Sequence, residues 1–178
     1  MSTTSMPVSA DLKSVAVRSI HLMASGSRDE FDEVISAEGF TRERRAAPPP
    51  ARGSGPDGFY QLALWLRAAF ADLHYDIHHV IADGDLVTVN STMNGRHTGP
   101  MIFYTEDVQV DAAFAPTGRP FAMTQSHWFR MKDGKIVEHW ANRDDLGVAR
   151  QLDWVPPTPR YLLRCARLKR QARKSLTS

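Results

Sequence analysis

Residues 124–152, TQSHWFRMKDGKIVEHWANRDDLGVARQL, constrain this chain more than any other stretch. Apolar and polar residues alternate on both sides of Asp133-Gly134, the pattern of two strands joined by a tight turn, and Asp144-Asp145 ahead of LGVARQL reads as the cap of a short helix. Register decides which side chains share a face, because a one-residue slip inverts every position. A two-residue Asp133-Gly134 loop would set His127 opposite Trp140. A three-residue loop over 132–134, with Gly134 left-handed as a bulge, sets His127 opposite His139, and this is the expected register. It gathers Gln125, His127, Phe129, Val137 and His139 on one face. Two imidazoles and an amide over apolar neighbours are what a small-molecule pocket needs. Ser126, Trp128, Arg130, Ile136, Glu138 and Trp140 fall on the other face, where the two tryptophans suggest either a homodimer surface or a bed for the chain's own C-terminal segment.

Upstream the period is helical before it is two. Leu12, Val15, Ala16, Ile20 and Met23 predict a helix over 11–23, and acids open a second over 29–35. Residues 41–57, TRERRAAPPPARGSGPD, are rich in Arg, Pro and Gly and read as a surface loop. A third helix is expected over 59–73. Residues 75–82 and 86–93 then alternate around an Asp83-Gly84 turn, and a further strand is expected near 108–113. Three helical segments followed by hairpins predict an α+β domain, one curved antiparallel sheet with the helices on one face.

At 178 residues the chain suits one domain, which the pattern places at 1–155, with 156–178 as a basic tail, helical or disordered. Residues 160–178 carry seven basic side chains and no acidic one; setting these aside leaves 15 basic against 20 acidic residues. A body near −5 is a poor electrostatic match for nucleic acid. The tail could dock on a partner subunit, bind an anionic surface, or fray in solvent, and the last is expected. The single cysteine, Cys165, rules out an internal disulfide framework and Cys-rich zinc sites. The first 13 residues lack a signal peptide's apolar core and no run reaches membrane-spanning length, so the expectation is a cytoplasmic protein.

Five motifs in order, AAFADL (68–73), ADGDLV (82–87), GRHTGP (95–100), PTGRP (116–120) and DGKIVEHW (133–140), make the chain similar to the SnoaL-like polyketide and ester cyclases of the NTF2-like superfamily. The resemblance covers roughly residues 11–152. It implies a cone-shaped α+β barrel with a deep apolar pocket between the bent sheet and the helices, and commonly a homodimer. It also implies ring closure by intramolecular aldol condensation without metal or cofactor. In those cyclases an aspartate directly after EHW is the acid/base, assisted by histidines and a glutamine. Gln125, His127 and His139 match; the aspartate position is Ala141, which cannot accept a proton.

His127 and His139 are therefore the candidate catalytic pair, since an imidazole can take or give a proton near neutrality when its other nitrogen is held. Gln125, His97, Phe129, Met93, Trp65 and Asn142 are the candidate substrate-binding residues. Gln125 would donate to an enolate oxygen, and His97 would sit at the pocket rim or in a solvated turn. His97, His127 and His139 could together ligate zinc, but no spacing fixes their distance and the resemblance implies no metal, so no metal site is assigned. The ligand expected is a small, apolar, carbonyl-bearing molecule. Two classes stay open: an enzyme of cyclase, isomerase or lyase type, and a non-catalytic binding or assembly protein that kept the cavity and lost the base.

Overall fold

The computed structural model describes residues 9–176. Residues 1–8, read above as lacking a leader's apolar core, and the last two of the basic tail lie outside them. Helices α1 (Ser9–Ser25) and α2 (Arg28–Val34) lead into a strand, β1 (Ile35–Thr41). Two short 3-10 turns, Arg42–Ala46 and Pro49–Arg52, precede helix α3 (Gly55–Ala69). Strands β2 (Phe70–Asp83) and β3 (Leu86–His97) form a long hairpin. A small hairpin of β4 (Met101–Tyr104) and β5 (Val110–Phe114) stands apart. Strands β6 (Pro120–Lys132) and β7 (Lys135–Arg143) then carry the chain into α4 (Asp145–Gln151) and α5 (Pro159–Ser175).

The main sheet has the order β1-β7-β6-β3-β2. Four strands are antiparallel, as expected, but β1 joins the edge of β7 in parallel, so the sheet is mixed and does not close into a barrel. This edge strand takes the last residue of the expected second helix, Ile35, the first of the expected loop, Thr41, and the unassigned residues 36–40 between them, and 42–46 and 49–52 fold into 3-10 turns rather than an open loop. A parallel partner comes from the far end of the chain, which a local pattern cannot encode. Along β3 and β6, Val87, Val89, Met93, Met123, Phe129 and Met131 point to the helix side and are buried. Each such apolar side chain contributes roughly 1.5–3 kcal/mol on burial.

The last hairpin departs from the expected register. Lys132 pairs with Lys135, so the loop is the two residues Asp133 and Gly134, with φ of 51° and 76°. Positive φ at both positions is the primed turn whose twist suits a hairpin. The irregularity lies between Arg130 and Met131 on one strand and Glu138 and Ile136 on the other, leaving Val137 as the extra residue. That bulge sets Phe129 opposite His139 and His127 opposite Ala141. His127, Phe129 and His139 still share the inner face, but Ile136 is fully buried and Val137 is not, the reverse of the expectation.

The tail is a docked helix rather than a frayed end. Thr158 caps α5 by accepting from the Tyr161 amide, the buried Tyr161 hydroxyl donates to the Ala115 carbonyl at 3.2 Å, and α5 packs on β5. No helix among the described residues is long and apolar enough to cross a membrane.

Candidate active site

A cavity of about 750 Å³ opens between the sheet, α1, α3 and the small hairpin. Most of its wall is apolar. Trp65 meets Phe103 edge-on at 5.4 Å, and Phe114 stacks on Trp154 at 4.1 Å, forming one aromatic side. Ser19, Arg45, Arg143 and Asp145 are among its polar lining, and five further polar side chains gather on the β6–β7–β1 side: Gln125, His127, His139, Thr41 and Glu43.

These five come together because of the strand pairing. Alternation along β6 sends Gln125, His127 and Phe129 inward, and the Val137 bulge brings His139 onto the same face. Thr41 ends β1, paired with His139, and Glu43 follows in the first 3-10 turn. His127 Nδ1 lies 2.9 Å from His139 Nε2, and the rings stack at 5.2 Å. His139 Nδ1 lies 3.1 Å from Thr41 Oγ1. The Thr41 hydroxyl donates to Glu43 Oε2 at 2.6 Å, and the Ala141 amide donates to Glu43 Oε1 at 2.7 Å.

His127 Nε2 is buried and has no protein partner, and the same is true of Gln125 Nε2, Trp65 Nε1 and Trp154 Nε1. All four residues line the cavity. Burial favours the neutral imidazoles: desolvation pushes His139 down to about 3 and holds His127 well below its ordinary 6.5, with His139 and Arg143 adding to the effect on His127.

The sequence matches the SnoaL-like polyketide cyclase family over residues 14–152. The chain belongs to that family. It is 30% identical over 143 residues to the aklanonic acid methyl ester cyclase DnrD of Streptomyces peucetius, covering 80% of this chain and 90% of that protein. To the nogalonic acid methyl ester cyclase of Streptomyces nogalater it is 32% identical over 129 residues, covering 72% and 87%. Among solved structures, TsrD from Streptomyces laurentii superposes with a TM-score of 0.67 at 20% identity, over 83% of this chain and 98% of that one, a likeness of fold. The fold is that of the NTF2-like SnoaL cyclases, with an unclosed sheet.

Of the residues expected at the site of this family member, His127, His139, Gln125, Phe129, Met93 and Trp65 all line the cavity. Asn142 does not. It is exposed on the outer face, where its Oδ1 accepts from Trp128 Nε1 at 3.2 Å, because residue 142 has the opposite parity to His139 and Ala141. His97 is neither at the rim nor in solvent. It is fully buried between Phe70 and Trp154, its Nδ1 accepting from the Thr117 amide at 3.3 Å. Desolvation pushes it down to about 4.

The motifs GRHTGP and PTGRP meet here as one structural joint. The His97 amide donates to Arg119 and the Gly118 amide to His97, while Thr98 and Gly99 both donate to the Ala69 carbonyl at the end of α3. A Cβ at Gly99 would lie 1.8 Å from the Ala68 carbonyl oxygen, so only glycine fits that approach. His97 lies eight residues along β3 from Val89, the partner of His127, roughly 25 Å of strand. The three histidines therefore do not converge. Asp144 caps α4 as expected, accepting from the Gly147 amide at 2.9 Å.

Thr41, Glu43 and Trp154 went unrecognised in the sequence. Glu43 stands among four arginines in a Pro-rich run, and its only signal is the Thr-x-Glu spacing at a strand end, too common to single it out.

Proposed function

We propose that this protein is an acid/base cyclase that closes a ring in an apolar, carbonyl-bearing polyketide ester by intramolecular aldol condensation. The observation that carries the reading is the bare, buried Nε2 of His127, set beside the Gln125 amide on the wall of a largely apolar cavity. His127 Nε2 takes the proton from the carbon between two carbonyls. The electron pair left behind becomes an enolate, whose oxygen accepts from Gln125 Nε2. The enolate carbon attacks a ketone of the same molecule, and the alkoxide formed recovers the proton from His127. Atoms and charge balance with no further reagent. The apolar wall keeps out water that would compete for the enolate, and the unpartnered Trp65 and Trp154 indoles offer donors to further carbonyl oxygens. The kinship with methyl ester cyclases supports the same class of substrate.

A second reading rests on Ala141: a binding protein that retains the cavity without the family's acid/base carboxylate. The two separate in one experiment with an aromatic polyketide methyl ester such as aklanonic acid methyl ester, followed by chromatography with no added metal or cofactor. Ring closure by wild type, reduced about 10²–10⁴-fold in His127→Ala with ester binding retained, is the expected result. Equal, turnover-free binding by wild type, His127→Ala and Ala141→Asp would establish the binder.

A further inference from the structure

We infer that Glu43, acting through the Thr41 hydroxyl, replaces the family's missing carboxylate at Ala141 by fixing the tautomers of His139 and His127 so that the Nε2 of His127 is a free base. This deepens the cyclase reading and rests on it for its catalytic consequence. The structural part stands on hydrogen-bond directions alone.

Each link leaves one choice. The carboxylate of Glu43 only accepts, and it accepts twice: from the Ala141 amide at Oε1 and from Thr41 at Oε2. Thr41 has one hydroxyl proton, committed to Glu43, so towards His139 it can only accept. The contact at 3.1 Å is then a bond from His139 Nδ1–H to Thr41. A neutral imidazole carries one N–H, which leaves His139 Nε2 bare. The 2.9 Å contact between the rings must therefore be donated by His127 Nδ1–H. His127 Nε2 is left with a lone pair in the cavity wall, the form a general base requires.

Glu43 also stands where the family's aspartate is absent. It grips the backbone of residue 141 itself, and it approaches from β1 rather than from β7. When His127 takes up a proton, the two stacked imidazoles share one positive charge, and Glu43 Oε2 lies 3.9 Å from His139 Nδ1 as its counter-charge. Glu43 is thus a positioning residue, three hydrogen bonds removed from the ring that touches substrate. Reversing the chain would place the proton on His127 Nε2 and block it.

The test is nitrogen-15 NMR of the histidine rings at neutral pH, read together with kcat and KM on the methyl ester. In wild type, His127 and His139 should both be neutral with the proton on Nδ1. In Glu43→Gln, the amide has one acceptor oxygen; with that oxygen on the Ala141 amide, its NH2 faces Thr41, and the proton on His127 should move to Nε2. The kcat should then fall about 10²-fold with KM little changed. Thr41→Val should act like Glu43→Gln, Thr41→Ser should restore both tautomer and rate, and Ala141→Asp placed in Glu43→Gln should recover turnover. A wild-type His127 already protonated on Nε2, or tautomers and kcat unmoved in both Glu43→Gln and Thr41→Val, would overturn the inference. Tautomers as assigned in a protein that turns over no ester would support the positioning role and sink the cyclase reading instead.

Discussion

The last hairpin presents two polar faces built from the same two strands, and they follow different physics. On the inner face, His127, His139, Thr41 and Glu43 form a single chain of hydrogen bonds in the cavity wall, with His139 and Thr41 buried. On the outer face, Arg130 meets Asp85 at 3.1 Å and Glu138 at 3.7 Å, and Arg42 lies 3.9 Å above the Trp140 ring, which is parallel to Trp128. Water screens the outer contacts, so each holds a surface together only weakly. Inside, desolvation makes every unmet hydrogen bond costly and every met one directional. Only the inner arrangement can hold a proton in one place. The difference is set by one residue, Val137, whose bulge decides the face on which His139 stands.

The largest effect that can break this comparison tests the bulge itself. Ile136 is fully buried only because the strand slips by one residue there. Ile136→Ala should cost about 2–5 kcal/mol in urea unfolding, whereas Val137→Ala should cost under about 1 kcal/mol. The reverse order would mean that the three-residue loop is correct and that Val137, not Ile136, stands beside His139 on the inner face.

That pair of residues also marks where the sequence stops being legible. Alternation around Asp133-Gly134 identified the hairpin and the shared face of Gln125, His127 and Phe129, because pleating is a local property. Turn length and bulge position are not local. Lys132-Asp133-Gly134 suits either loop, and what selects the bulge is the burial of Ile136 and Met131 against helices distant in sequence. Likewise β1 carries Glu38 and Gly39 in its middle and is held by the edge of β7, so nothing in residues 35–41 alone marks a strand. Glu43 was hidden for the same reason. Its role exists only once Thr41 is laid beside His139, 98 residues away.

A smaller effect follows from the buried imidazoles. Burial holds the folded-state values of His97 and His139 at about 4 and about 3, and His127 also lies well below 6.5, while the unfolded chain titrates near 6.5. The unfolded state therefore binds more protons, and stability rises with pH. This contribution is complete above about pH 7, falls as pH drops through 6.5, and levels off only near the folded values. Between pH 6 and 5, above most carboxylate titration, each such histidine should remove up to about 1.4 kcal/mol per pH unit. Urea unfolding at pH 7 and pH 5 reads this directly. A flat profile would mean that the inner-face rings are charged or solvated in the folded protein.

The smallest effect belongs to the outer face. Arg130 Nη1 reaches both Asp85 oxygens at 3.1 Å, but the two side chains are 43% and 60% exposed. Removing the carboxylate leaves the guanidinium in water with Glu138 still at 3.7 Å, so no charge is stranded. The structural bond at that corner is the Met131 amide donating to the Asp85 carbonyl at 2.8 Å, and a side-chain substitution leaves it in place. Asp85→Ala should therefore change unfolding free energy by no more than about 1 kcal/mol, less still at high salt, with ester turnover unchanged. A loss of turnover in that variant would mean that the two faces communicate through the strands, and the separation between a screened outer surface and a proton-holding inner one would no longer hold.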